Sequence, residues 1–141
     1  GRHISLHIEQ IEDSVCTDSK WLGFIIEQLI SNAVKYSKDG GSVRIYTLHG
    51  SDGIKKDSKD DSLQLVIEDT GIGISEEDIP RIMERGFTGY NGRLDRKSSG
   101  IGLYLCRKAA DRLGFVITFD ASYKNGTRVL LDMTQRYTKH E

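Results

Sequence analysis

Cysteine, proline and tryptophan are scarce in this sequence, with two, one and one residue among 141. The cysteines, Cys16 and Cys106, lie far apart with no CxxC pair and no histidine beside them, which excludes a disulfide framework or a cysteine-based zinc site. A reducing compartment suits such a chain. There is no apolar run of about eighteen residues, so no membrane-spanning helix is expected. No signal peptide and no Met precede Gly1, and the sequence reads as a piece excised from a longer protein. Neither charge prevails: 20 Lys and Arg against 21 Asp and Glu leave a net charge of -1. A general electrostatic field for nucleic acid or acidic membranes is thereby excluded. What is present, 37% hydrophobic and 29% charged residues, suffices for one globular domain spanning residues 1–141.

Residues 3–8 alternate His3, Ser5 and His7 with Ile4, Leu6 and Ile8, the period of a half-buried strand. Four residues of strand span roughly 13 Å, too far for both imidazoles to reach one metal. Asp18 then reads as a helix N-cap before an apolar stripe of Leu22, Ile25, Ile26, Leu29, Ile30 and Ala33, with Gly40-Gly41 expected to end the helix. Alternating runs over 42–48 and 62–68 predict two strands joined by a polar loop over 50–61. Ser75-Glu76-Glu77-Asp78 resembles a capping box and predicts a short helix toward Glu84, although Pro80 makes its first turn unfavourable. Residues 86–100, with four glycines, predict a mobile loop. Ile101, Leu105, Ala109 and Leu113 mark another helix closed by Gly114, and two strands, 115–120 and 127–132, flank an Asn125-Gly126 turn. This order predicts an α+β two-layer sandwich: a mixed, mostly antiparallel sheet with about three helices on one face.

Three segments carry chemistry. On the first helix Gln28, Asn32 and Lys35 share a face at i, i+4 and i+7, with Tyr36 beside them. An amide oxygen is a hard ligand suited to Mg²⁺ and Lys35 suits a phosphate, but taken alone the face reads first as a solvated one. Asp69-Thr70-Gly71-Ile72-Gly73 follows an apolar strand. Glycines there let backbone approach a flat ligand, and a carboxylate accepts from the 6-amino group of adenine where guanine offers an acceptor. The alternative is a glycine turn with a solvated carboxylate. Ser98-Ser99-Gly100-Ile101-Gly102-Leu103 leads into a helix whose free N–H groups suit a polyphosphate.

Taken together, Gln28-Leu-Ile-Ser-Asn32-Ala-Val-Lys35-Tyr36, Asp69-Thr-Gly71-Ile-Gly73, Gly86-Phe87-Thr88 and Ser99-Gly100-Ile-Gly102-Leu103 resemble the catalytic ATP-binding domain of bacterial sensor histidine kinases. The likeness covers nearly the whole chain. The segment from Glu84 to Arg93 further resembles the Gram-positive short-sensor kinases that respond to peptide antibiotics and envelope stress. The resemblance implies the Bergerat ATP-binding fold shared with the Hsp90, gyrase and MutL ATPases. It implies ATP and Mg²⁺ as cofactors, with Asn32 and Gln28 as metal ligands and Asn32 and Lys35 in the catalytic role. Lys35 and Tyr36 would lie near the phosphates, Asp69 would read the adenine amine, and Gly71 and Gly73 would wall the base. Phe87 would anchor a nucleotide lid over about 85–99, hinged by Gly100 and Gly102 next to Leu103. Thr127 would stand beside Asp69, while Arg93, Arg96 and Lys97 would either meet the γ-phosphate or be solvated. Two departures are Gln28, where many such kinases have Asn, and Ser98, where a glycine is frequent.

In the related ATPases a Glu occupies the position of Gln28 and activates water. An amide has no basic site for this, and Glu27 lies about 100° around the helix, so phosphoryl transfer is preferred over hydrolysis. None of His3, His7, His49 and His140 combines a following acidic residue with the helical context of the family's phosphorylated histidine. The expected partners are therefore upstream dimerisation and phosphoacceptor helices and a response regulator, without nucleic acid. The intact protein is expected to be a membrane-bound homodimer carrying this domain in the cytoplasm, and the piece itself a monomer. A nucleotide-gated dimerisation module of the gyrase or Hsp90 kind is the alternative.

Overall fold

The computed structural model describes residues 3–11, 15–49, 62–87 and 101–134. Within them lie five strands, β1 (Ser5–Ile8), β2 (Ser42–His49), β3 (Leu63–Asp69), β4 (Val116–Phe119) and β5 (Thr127–Asp132), and two α-helices, α1 (Ser19–Tyr36) and α2 (Gly102–Leu113). The strands form one sheet in the order β1-β2-β3-β5-β4, with β1 parallel to β2 and every other pair antiparallel. The expected mixed, one-sided sheet is what the chain forms.

α1 starts where its cap dictates: Asp18 Oδ1 accepts from the N–H groups of Lys20 (2.9 Å) and Trp21 (3.2 Å). Its stripe of Ile25, Leu29 and Ala33 joins the core with Cys106, Ala109 and Ala110 of α2 against Val43, Ile45, Leu65, Ile67, Ile117, Phe119, Val129 and Leu131 of the sheet. β3 lies at the centre, so even Val66 on its outer face is buried, between its register partners Tyr46 and Leu130.

Several expectations need correction. α1 ends at Tyr36, capped by Ser37, whose N–H reaches Val34 O and whose Oγ donates to Ala33 O at 2.7 Å. A side chain that returns to the last turn ends the helix before the glycines. Gly40, at φ +82°, instead turns the chain into β2. The helix expected over 75–84 is a single 3₁₀ turn, Ile79–Arg81. Pro80 would fall inside a helix capped at Ser75, where it lacks the N–H for the carbonyl four residues back and its ring crowds that carbonyl, whereas at the start of a short turn it is tolerated. The count is thus two α-helices rather than about three among the described residues. In α2 the buried face is Cys106, Ala109 and Ala110, and Leu105 is exposed. Positions four apart drift around a helix, and Cys106 behaves as the small apolar residue that faces the core. β1 begins at Ser5, leaving His3 before it, and its apolar residues Leu6 and Ile8 are 51% and 62% exposed on the sheet's edge. Between β4 and β5 there is no tight two-residue turn. Residues 120–126 form a longer loop in which Asn125 keeps a negative φ, incompatible with the type I′ geometry that Asn-Gly suggests. The polar loop 50–61 lies outside the described residues.

Candidate functional site

Four segments far apart in sequence meet at one end of the sheet. The C-terminal end of α1 touches the turn after β3: Ile72 N–H donates to Tyr36 O at 3.3 Å, and a Cβ on Gly71 would stand 2.2 Å from the same oxygen. Only glycine permits that approach. The start of α2 touches the middle of α1, since a Cβ on Gly102 would lie 2.8 Å from Gln28 Oε1. The start of β5 pairs with the end of β3, placing Thr127 directly opposite Asp69. Gly126 packs so tightly that its Cβ would lie 2.0 Å from Asp69 O, and the Gly126 carbonyl faces Gly73.

Asp69 is the centre of this meeting. It ends β3 on the helix-covered face, only 4% exposed, and its Oδ1 accepts the N–H of Gly71 at 2.8 Å and of Thr127 at 3.2 Å. Among the described residues no basic side chain pairs with it. Burial pushes its carboxyl pKa above the ordinary 3.8, and the two N–H groups pull it partly back. Its neighbour Glu68 faces the other way. There Arg128 Nε donates to Glu68 Oε2 at 2.7 Å, Tyr46 Oη donates to the same oxygen, and Arg44 stands 3.8 Å from Oε1. Tyr46 is pushed up to about 12 by burial and this hydrogen bond, so it remains a donor.

On α1, Gln28, Asn32, Lys35 and Tyr36 are all half-buried, whereas Glu27 is exposed. The polar face is therefore not a fully solvated one. Lys35 Nζ lies 5.6 Å from the Tyr36 ring centroid. Phe87 is half-buried with the Arg81 guanidinium 4.5 Å from its ring, and Arg81 also pairs with Glu84 at 3.1 Å. Leu103 packs against the core. Gly102 is the first residue of α2 and lies against Gln28. Thr88, Arg93, Arg96, Lys97, Ser98, Ser99 and Gly100 lie outside the described residues, and with them most of the expected lid.

A cleft of about 480 Å³ opens between the loop after β3 and the β4–β5 loop, lined by Gly73, Ile74, Ile79, Phe119, Tyr123 and Thr127 among others. Its size and mixed lining fall in the range of small-molecule sites. Lys124, which lines the cleft, pairs through Nζ with the exposed Glu76 at 2.8 Å. Sequence reasoning missed Tyr123, whose hydroxyl points to Asp69 O at 3.4 Å, and Gly126. Gly126 had a signal in its place directly before Thr127, while Tyr123 had none.

Among the described residues no group of three His, Cys, Asp or Glu side chains could hold a metal. The oxygen donors that fit a hard cation are the half-buried amides of Gln28 and Asn32, one turn apart on α1.

Residues 17–136 match the family of histidine kinase-, DNA gyrase B- and HSP90-like ATPases. The sensor protein kinase GraS of Staphylococcus aureus (strain JH1) is 40% identical over 122 residues, covering 86% of this chain and 32% of that protein. The chain thus spans about a third of the length of the curated relatives it matches. The mycobacterial sensor histidine kinase MprB superposes with a TM-score of 0.76 at 25% identity, over 92% of this chain and 82% of that one. The catalytic domain of the histidine kinase ThkA superposes at 0.68 and 20% identity, over 92% and 77%, a likeness of fold. A match across most of the chain, on a sheet whose one end gathers Asp69, Gly71, Thr127 and the polar face of α1, places this protein in the histidine kinase-, DNA gyrase B- and HSP90-like ATPase family.

Proposed function

We propose that this chain is the ATP-binding catalytic domain of a sensor histidine kinase, which transfers the γ-phosphoryl group of Mg-ATP to a histidine on an upstream helical domain for relay to a response regulator. The observation that carries the reading is Asp69: a buried carboxylate, satisfied on one oxygen by the Gly71 and Thr127 N–H groups and without a described cation. Such a group favours a ligand amine over a carbonyl, which is the difference between adenine and guanine.

Gly71 and Gly73 let the backbone stand close to the base, and Thr127 holds the carboxylate in line. Asn32 and Gln28 offer amide oxygens to Mg²⁺, whose part is to neutralise charge on the phosphates. Lys35 and Tyr36 lie at the phosphate end, Phe87 fixes the start of the lid, and Leu103 seats the helix behind Gly100 and Gly102. Hydrolysis is disfavoured because Gln28 has no basic site, and the exposed Glu27 turns away from it. Arg93, Arg96 and Lys97 keep both roles, phosphate contact or solvated charge.

The domain works on the cytoplasmic side in this reading, in a dimeric protein anchored in the membrane by segments outside this sequence. Among the described residues no helix is long and apolar enough to cross a membrane. The test is incubation with Mg²⁺ and γ-labelled ATP, with and without the upstream helical segment as a separate chain. Label on that segment, lost with Asn32→Ala, is expected. Free phosphate from this chain alone, with no labelled protein, would establish an ATPase instead.

A further inference from the structure

The outer face of the sheet carries a charge cluster directly behind Asp69. Glu68 and Arg128 are cross-strand partners, and the next pair along the same ladder is Asp69 and Thr127. Arg128 Nε donates to Glu68 Oε2 at 2.7 Å, and Arg128 Nη1 donates to Asp120 Oδ2 at 3.1 Å. The same guanidinium stacks 4.3 Å from the Tyr123 ring centroid. Tyr123 in turn donates from its hydroxyl to the backbone oxygen of Asp69 at 3.4 Å, and its N–H is held by Asp120 O at 3.2 Å. A fork-shaped donor on one side and an aromatic plate on the other thus fix the two strands one residue from the carboxylate. Register matters here more than elsewhere, because a slip in either strand would move Asp69 and Thr127 apart.

We infer that Tyr123 and Arg128 are positioning residues for Asp69, acting through the backbone of β3 and β5 to set how strongly the site prefers adenine over a purine lacking the 6-amino group. The inference rests on the proposed reading of Asp69 as the residue that recognises the adenine amine. Both side chains line the cleft, and among the described residues neither bonds to the Asp69 carboxylate itself. Each acts by limiting the movement of a carboxylate whose hydrogen bond depends on placement to within about half an ångström.

The experiment compares binding of ATP and of purine riboside triphosphate, which has hydrogen in place of the amine, to the unaltered chain and to Tyr123→Phe, Arg128→Lys and Asp69→Asn, with melting temperatures alongside. Tyr123→Phe is expected to lower the preference for ATP about threefold and Arg128→Lys about five- to tenfold, with binding of the analogue unchanged. Tyr123→Phe removes one oxygen atom from a partly buried ring and keeps the stack, so it remains a test where Arg128→Lys melts early. Equal loss of both nucleotides, or no change in the ratio, would overturn the inference while Asp69→Asn still abolishes the preference. If Asp69→Asn keeps the preference intact, the base-reading role of Asp69 falls and this inference falls with it.

Discussion

Glu68 and Asp69 are consecutive, both acidic, both more than nine-tenths buried, and yet they live in opposite worlds. Glu68 faces outward into Arg128, Arg44 and Tyr46, which saturate it with charged and hydroxyl donors. Asp69 faces the helices and receives two backbone N–H groups, with no described cation. A buried carboxylate that owns its counter-ions is part of the fold. One held by backbone alone keeps bonding capacity for a ligand, and that difference separates architecture from recognition more sharply than burial does.

The strongest way to break the comparison is Gly126→Ala. Its Cβ would stand 2.0 Å from Asp69 O, a backbone atom that cannot yield, so both carboxylates are disturbed at once. A loss of about 3 kcal/mol in chemical denaturation is expected, together with loss of nucleotide binding.

Separating the two groups comes next. Asp69→Asn is expected to weaken ATP about thirtyfold in titration, roughly 2 kcal/mol, without loss of folding stability, since it removes an uncompensated buried charge. Glu68→Gln is expected to do the reverse, costing about 1.5 kcal/mol in denaturation because Arg128 loses its charged acceptor, with a smaller change in ATP affinity. A destabilised Asp69→Asn, or an ATP loss in Glu68→Gln as large as in Asp69→Asn, would erase the distinction.

Acid titration sharpens it further. The Asp69 pKa is raised in the folded chain, so its contribution to folding is complete below the unfolded value near 3.8 and is lost as pH rises through the folded value. The stability of Asp69→Asn relative to the unaltered chain, followed by denaturation, is thus expected to improve as pH rises through that window. ATP affinity of the unaltered chain should fall on acidification sooner than for an ordinary carboxylate. Asp120 runs the other way. Its pKa is lowered, by Ser122 first and Arg128 after it, so its contribution is present above the ordinary value and fades as pH falls through the depressed one.

The smallest expected effect lies away from both carboxylates. Gly23 sits inside α1 with nothing within 4 Å of a Cβ, and Gly23→Ala should stabilise by about 0.5–1 kcal/mol in thermal melts with ATP binding unchanged.

Local features were legible in the sequence. The Asp18 cap, the apolar stripe of α1, the Gly114 end of α2 and the alternation in β2, β3 and β5 each follow from rules acting over a few residues. Misreadings arose where a local rule met a competitor: Pro80 against a capping box, Ser37 against the glycines, Cys106 against Leu105. Among the candidate site residues, Asp69 and the glycines beside it could be named from their motif. The contact of Gln28 with Gly102 and the reach of Tyr123 to Asp69 O could not, because they join segments dozens of residues apart.

By itself the sequence determined the places of the two long helices, the buried face of the first, a strand that ends in adjacent acids, and glycines wherever backbone would crowd. Alternation alone already sent Glu68 and Asp69 to opposite faces. Only the tertiary structure decided what each would meet, because their environments are supplied by β5 and the loop before it. That strand delivers a guanidinium to one face and a bare N–H to the other, and two similar carboxylates become a structural anchor and a free acceptor.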